Sequence, residues 1–103
     1  MIRQEIVKLI EELIKKLQKE KVLPKFDIPE FHVEHPEEKI HGDYATNVAM
    51  VIAKQVKKSP LEVAKLINRK LEIGNWKFLD KVEVVEPGFI NFFLSKAYLQ
   101  KKN

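Results

Sequence analysis

The sequence contains no cysteine and only three glycines among its 103 residues. Without cysteine there are neither disulfide bonds nor thiolate ligands for a metal ion. No apolar run approaches the about 20 residues that a membrane-spanning helix needs, and polar residues near the N-terminus interrupt any signal-peptide core. Gly/Ser-rich linkers and low-complexity segments are also missing. These absences lead us to expect a soluble, cytoplasmic protein.

The length fits one compact domain, and 45% hydrophobic residues are enough for a modest core. The net charge is +4, but it is unevenly spread. Residues 26–40 carry five acidic side chains and one basic one, whereas the rest of the chain has a basic excess. Phosphate would be repelled by the acidic segment and tolerated elsewhere. Charge alone therefore favours a nucleic-acid partner only slightly.

Three helices are predicted from apolar spacing and end signals. The first has apolar residues three and four positions apart and ends before Pro24. The second is expected to begin near Asp43, with Gly42-Asp43 as its N-cap. The third begins at Ser59, which is followed by proline at the first helical position and glutamate at the capping-box position, and it ends at Gly74.

The remaining segments are typical of β-strands. Residues 26–34 predict an edge or bulged strand, since Pro29 interrupts the alternation. Residues 81–86 and 89–94 predict a slightly open or bulged hairpin, joined at Pro87-Gly88 by a type I or II turn. A short helix is expected from Ser95. The fold class is therefore α+β: a small antiparallel sheet of three or four strands with helices packed on one face.

The last strand carries the most informative side chains. Successive residues point to opposite faces, so Ile90, Phe92 and Leu94 belong under the helices and Phe89, Asn91 and Phe93 face outward. An exposed aromatic ring can stack on an unpaired base, and an amide beside it can read a base edge. The alternative is structural: the two rings pack against the terminal helix, and Asn91 is a satisfied strand residue.

The segment from His41 to Asn47 also contains chemically active side chains. His41, Asp43 and Tyr44 are conceivable acid–base groups, but a structural interpretation is stronger. In that interpretation Gly42 allows a sharp entry, Asp43 caps a helix and Asn47 bonds back to the loop.

Two other sets of residues have simple explanations as well as functional ones. The histidines at positions 32, 35 and 41 have irregular spacing across Pro36, so we expect no metal site there. Lys57-Lys58 and Lys101-Lys102 are typical of solvated ends, and their alternative role is to contact phosphates.

Two motifs together resemble those of a known family. The run HGDYATNVAM at residues 41–50, continued by residues 52–54 and the Ser59-Pro60 helix, resembles the signature of the arginyl-tRNA synthetase N-terminal domain. The run VEVVEPGFINF at residues 82–92 resembles the strand pair that closes this domain. Both motifs occur in the expected order and span nearly the whole chain, which makes the resemblance specific.

The resemblance implies that residues 1–103 form a single tRNA-recognition domain of an arginine–tRNA ligase. In that family the domain contacts the D-loop at the outer corner of tRNA(Arg) through an aromatic and an amide residue two positions apart. These roles fall on Phe89 and Asn91. Glu86 occupies a position from which some members also contact the loop, although some relatives have an amide there.

The same resemblance implies that this chain has no catalytic centre and no cofactor. ATP and arginine would bind a separate catalytic domain, absent here, of an ATP-dependent ligase. Residues 35–38 and 57–60 resemble the family's HIGH-like and KMSK-like catalytic signatures only superficially. The chain ends about where that catalytic domain would begin, so we expect either a fragment or a free-standing relative. The alternative function is a free-standing module that acts through protein contacts or homodimerisation.

Overall fold

A computed structural model describes residues 2–74 and 76–96 of the chain. These described residues form three α-helices, four β-strands and one 3-10 turn. Of the short helix expected from Ser95, the residues from Ala97 onward fall outside the described residues, as does the Lys101-Lys102 pair. In chain order, the elements are α1 (Ile2–Lys19), β1 (Val33–Glu34), the 3-10 turn (Lys39–His41), β2 (Tyr44–Thr46), α2 (Val48–Val56), α3 (Pro60–Ile73), β3 (Leu79–Val85) and β4 (Phe89–Leu94).

The four strands form one antiparallel sheet in the order β1-β2-β4-β3. The predicted α+β class, with helices on one face of a small antiparallel sheet, is confirmed. The inward set of β4 was also assigned correctly, because Ile90, Phe92 and Leu94 are all buried. They pack with the apolar stripes of the helices, which include these buried residues: Ile6, Ile10, Leu13, Ile14, Leu17, Val48, Ile52, Val63, Ile67 and Leu71.

The helix α3 begins as its sequence predicts. The Ser59 hydroxyl accepts a hydrogen bond from the Glu62 backbone N–H and donates one to the Glu62 carboxylate, each at 3.2 Å. Pro60 occupies the first turn, where its missing N–H costs nothing. The helix ends at Ile73, directly before Gly74.

The predicted start of α2 at Asp43 is wrong. Residues 44–46 form β2, which pairs with β4, and the N-cap of α2 is Asn47. Asp43 is not a helix cap: its carboxylate accepts a hydrogen bond from the Leu94 backbone N–H at 2.8 Å. A pairing with a strand about 50 residues away has therefore overridden a local capping pattern.

The predicted strand over residues 26–34 is mostly absent. Only Val33–Glu34 pairs, with β2, and it lies at the edge of the sheet as the proline suggests. The expected β3–β4 hairpin is present, with a register irregularity between Leu79 and Lys81. Its connection contains a cis Glu86–Pro87 peptide bond.

Candidate functional site

The outer face of the sheet carries a row of side chains at the same level on all four strands. Asn91 of β4 pairs with Ala45 of β2 on one side and with Glu83 of β3 on the other. Glu34 of β1 pairs with Ala45. Side chains at paired positions point to the same face, so all four share the face opposite the helices. The alternation predicted for β4 thus places Asn91 on the outer face.

The outer face is not bare, because the connection between β1 and β2 folds over it. A cleft of about 750 Å³ lies between this connection and the end of the β3–β4 hairpin. Phe89 and Asn91 line it from β4. The other lining residues are His32, Glu34, His35, Pro36, Glu37, His41, Ala45, Thr46, Asn47 and Val85.

Phe89 and Asn91 are presented to the cleft in different ways. Phe89 is 39% exposed and pairs across the hairpin with Val85, so an apolar platform lies at the mouth. Asn91 is only 5% exposed and lies between two strands. Within residues 2–74 and 76–96 its side chain makes no hydrogen bond to the protein. An amide that is buried by neighbours but open to a cleft can donate to and accept from a ligand.

Two backbone positions fix β1 and the β1–β2 connection against their neighbours. The Asn47 side-chain oxygen accepts a hydrogen bond from the His32 backbone N–H at 2.8 Å, which ties the residue before β1 to the N-cap of α2. Near the end of the connection, Gly42 has a φ of +103°, and a Cβ there would lie 2.8 Å from the Phe92 carbonyl oxygen. Only glycine permits this close approach of the connection to β4.

The charge around the cleft is acidic. Glu34 and Glu37 line it, and the described part of the chain contributes no lysine or arginine to its lining. Arg3 of α1 lies 3.7 Å from the Glu34 carboxylate on the outside. A phosphate inside the cleft would therefore meet repulsion, whereas an uncharged aromatic or polar group would not. The cleft is better suited to a base than to a phosphate.

The remaining predicted site residues lie outside the cleft. Glu86 is exposed in the hairpin turn beside Val85. Lys57 and Lys58 are exposed after α2, and Lys57 adopts a left-handed conformation there. Gly88 in the turn packs on Pro60. Lys57 and Lys58 precede Pro60 by three and two residues, and three residues of chain span at most about 11 Å. The backbones of both lysines therefore lie within about that distance of the proline that the turn contacts.

The sequence analysis did not place the three histidines at this cleft. It considered His32, His35 and His41 as metal ligands and His41 also as an acid–base group, whereas the structure has all three among the lining residues. Among the described residues, no group of three or more His, Cys, Asp or Glu side chains is arranged to hold a metal ion. Recognising residues 44–46 as a strand would have brought the histidines beside β4.

The described helices include none that is both long and apolar enough to cross a membrane.

Comparisons with known proteins identify relatives of the whole described fold. The sequence model of a family described as "Arginyl tRNA synthetase N terminal domain" matches residues 3–94. An arginine–tRNA ligase of Acetivibrio thermocellus is 42% identical over 98 residues, which are 95% of this chain and 17% of that ligase. The ligase of Listeria welshimeri is 40% identical over 99 residues, 96% of this chain and 18% of its own length. The chain thus spans about a sixth of the curated relatives it matches.

Two solved structures share the fold at low sequence identity. The arginyl-tRNA synthetase of Thermus thermophilus superposes with a TM-score of 0.74 at 22% identity, covering 99% of this chain and 15% of that one. The arginyl-tRNA synthetase from Plasmodium falciparum gives a TM-score of 0.75 at 21% identity, covering 97% and 17%. The fold of the described residues is therefore the one found in these larger chains.

Proposed function

This chain belongs to the arginyl-tRNA synthetase N-terminal domain family, and on that premise we propose that it binds tRNA(Arg) at the D-loop. The cleft lined by Phe89 and Asn91 would hold one nucleotide of that loop, at the outer corner of the tRNA. The observation that carries the proposal is the pairing of an exposed aromatic ring with an amide that has no protein partner among the described residues.

Stacking and hydrogen bonding have separate roles in this proposal. A base stacked on the Phe89 ring gains about 1–3 kcal/mol, largely independent of its identity. The Asn91 amide then supplies one donor and one acceptor, which selects the base edge presented to it. Because Asn91 is held between two paired strands, little conformational entropy remains to be lost on binding.

Phosphates of the bound loop would lie outside the cleft. Glu34 and Glu37 disfavour them inside, and Lys57 and Lys58 near the hairpin turn attract them at the rim. Glu86 lies at this rim too, where its carboxylate would repel a phosphate but could accept a hydrogen bond from a base. We therefore assign it a secondary role.

This proposal extends to the longer arginine–tRNA ligases that the chain resembles. We propose that residues 1–103 are the tRNA-recognition domain of an arginine–tRNA ligase, which acts in the cytoplasm. ATP and arginine would bind the catalytic domain of that ligase and not this one. The domain would position tRNA(Arg) without taking part in the chemical step.

The Phe89→Ala variant tests this assignment. Titration of the chain into fluorescently labelled tRNA(Arg) should show binding weakened by about five- to hundredfold, the equivalent of one lost stacking interaction. The loss should also occur with tRNA(Arg) whose anticodon nucleotides are altered, because the proposed contact lies at the outer corner of the tRNA and not in the anticodon loop.

Phe93→Ala is the matched control for this experiment. Phe93 has the same parity on β4, but it does not line the cleft, and the Lys81 ammonium lies 4.5 Å from its ring centroid. Its truncation should change the affinity by about twofold or less. Equal affinities for the wild type and Phe89→Ala would contradict the proposal. A stable dimer in light scattering with Phe89 protected would favour a protein-interaction module.

A further inference from the structure

The end of helix α1 and the chain that follows it form a second groove, which shares no lining residue with the Phe89 cleft. It has a volume of about 620 Å³. We call it the α1 groove, and it is lined by Lys15, Gln18, Lys19, Lys25, Phe26 and Asp27. Three lysines against one aspartate make this lining basic, whereas the lining of the Phe89 cleft is acidic. The α1 groove thus offers the positive charge that the cleft lacks.

Hydrogen bonds at the end of α1 hold the two sides of this groove together. Beyond the helix the chain turns back through Lys21, which has a φ of +64°. The Gln18 side-chain amide then donates to the backbone carbonyl oxygens of Pro24 and Phe26, each at 3.1 Å. These bonds fix the segment that carries Lys25 against the helix that carries the other two lysines. The basic side chains therefore converge on one groove through a defined local structure.

The three lysines of the α1 groove are not neutralised by neighbouring carboxylates. All three are exposed, and none forms an ion pair with another residue of the ranges 2–74 and 76–96. Glu20, which follows the last residue of α1, is instead paired with Lys70 of α3 at 2.7 Å. Glu11 and Glu12 lie one turn before the first of these lysines and do not line the groove. The charge of the groove is therefore available to an anionic ligand.

We propose that the α1 groove binds backbone phosphates of tRNA(Arg), at nucleotides other than the one held in the Phe89 cleft. This inference rests on the proposed function. Arg3 lies 3.7 Å from Glu34 of the cleft lining, and Lys19 is at the opposite end of the same helix. At 1.5 Å per residue, these two ends of α1 are about 24 Å apart. An RNA that places one base in an acidic cleft needs positive charge elsewhere for its phosphates. Because a phosphate contact reads no sequence, the groove adds affinity and orientation.

The test is the salt dependence of tRNA(Arg) binding when the groove loses its charge. The groove variant combines Lys15→Gln, Lys19→Gln and Lys25→Gln. Glutamine is nearly as good a helix former as lysine, and all three positions are exposed, so the fold should be retained. Thermal unfolding by circular dichroism verifies this. Each phosphate contact releases counterions, so the slope of log K against log salt concentration measures how many contacts are lost.

The matched control removes the same charge from other parts of the surface. It combines Lys16→Gln, Lys65→Gln and Lys77→Gln, three exposed positions that do not line the groove. Binding of fluorescently labelled tRNA(Arg) is titrated between about 50 and 200 mM salt. The wild type, the two triple variants and Phe89→Ala are compared.

We expect the groove variant to bind more weakly at low salt, with a slope that is shallower by about two to three, about one for each phosphate contact. The slope of the control should change by less than about one, because it loses only long-range attraction. Equal slopes for the groove variant and the control would overturn the inference.

The Phe89→Ala variant distinguishes a failure of this inference from a failure of the proposed function. It loses an uncharged contact, so its affinity should fall while its slope stays that of the wild type. If that defect persisted while the groove variant matched the control, the proposed function would stand without the α1 groove. If Phe89→Ala bound like the wild type while the groove variant showed the shallower slope, the groove would bind tRNA phosphates and the D-loop assignment would fail.

Discussion

At the scale of single residues, Asn91 combines two properties that rarely occur together. It is 5% exposed in the middle of a sheet, yet its amide bonds to no other described residue. Buried amides in proteins are normally paired, because an unpaired one loses its hydrogen bonds to water. Because Asn91 lines the cleft, water or a ligand can supply the hydrogen bonds that the protein does not give to its amide. The residue is thus better explained by binding than by stability.

This explanation predicts that Asn91→Val separates stability from binding. Valine has a similar size and a higher strand propensity, so the free energy of unfolding in urea should be unchanged or raised by up to about 1 kcal/mol. Binding to tRNA(Arg) should nevertheless weaken, because no amide remains.

Thr46→Val is the comparison for Asn91→Val on the neighbouring strand. The Thr46 hydroxyl accepts a hydrogen bond from the Val48 backbone N–H at 3.2 Å and is buried. Its loss should lower the free energy of unfolding by about 0.5–1.5 kcal/mol. If Asn91→Val destabilised the protein as much as Thr46→Val does, the Asn91 amide would have a structural role instead.

At the scale of secondary-structure elements, the β3–β4 turn packs directly against the start of α3. A Cβ added at Gly88 would lie 2.7 Å from the Pro60 Cβ and 3.0 Å from its carbonyl carbon. The close contact positions the hairpin end, and with it Phe89, relative to the helical layer. The geometry of the cleft mouth therefore depends on helix α3 as well as on the sheet.

Gly88→Ala should push these two elements apart. Overpacking of this kind costs about 1–3 kcal/mol, so we expect a lower free energy of unfolding in urea together with weaker tRNA(Arg) binding. Glu86→Ala, in the same exposed turn but without such a contact, should change the stability by about 0.5 kcal/mol or less. An undiminished stability of Gly88→Ala would show that the turn is not seated on α3 as described.

The elements also show how far the sequence could predict this structure. The start of α3 was predictable because Ser59, Pro60 and Glu62 act within one turn of the helix. The outward position of Asn91 followed from strand alternation alone. Asp43 misled the prediction because its hydrogen-bond partner, Leu94, lies 51 residues away. The presence of His35 and His41 in the cleft lining was not predictable, since it depends on how the β1–β2 connection folds over the sheet.

At the scale of the whole molecule, the uneven charge distribution indicates how a bound RNA would lie across the proposed interface. The acidic segment at residues 26–40 supplies Glu34 and Glu37 to one wall of the cleft. Lys57 and Lys58 are exposed three and two residues before Pro60, on which Gly88 of the hairpin turn packs. In the proposed complex an RNA backbone would run past the turn, with one base directed into the cleft beside Phe89. In that complex the single bound base would set the specificity, and the backbone contacts would add affinity.

Chemical footprinting of tRNA(Arg) with this chain is the most direct test of that arrangement. It is performed at a chain concentration at which a separate titration shows complete binding. The account predicts that D-loop nucleotides become protected, that the anticodon and acceptor ends stay reactive, and that Phe89→Ala removes the protection at the same concentration. Unchanged D-loop reactivity in a fully formed complex, or protection confined to the anticodon or acceptor end, would contradict it.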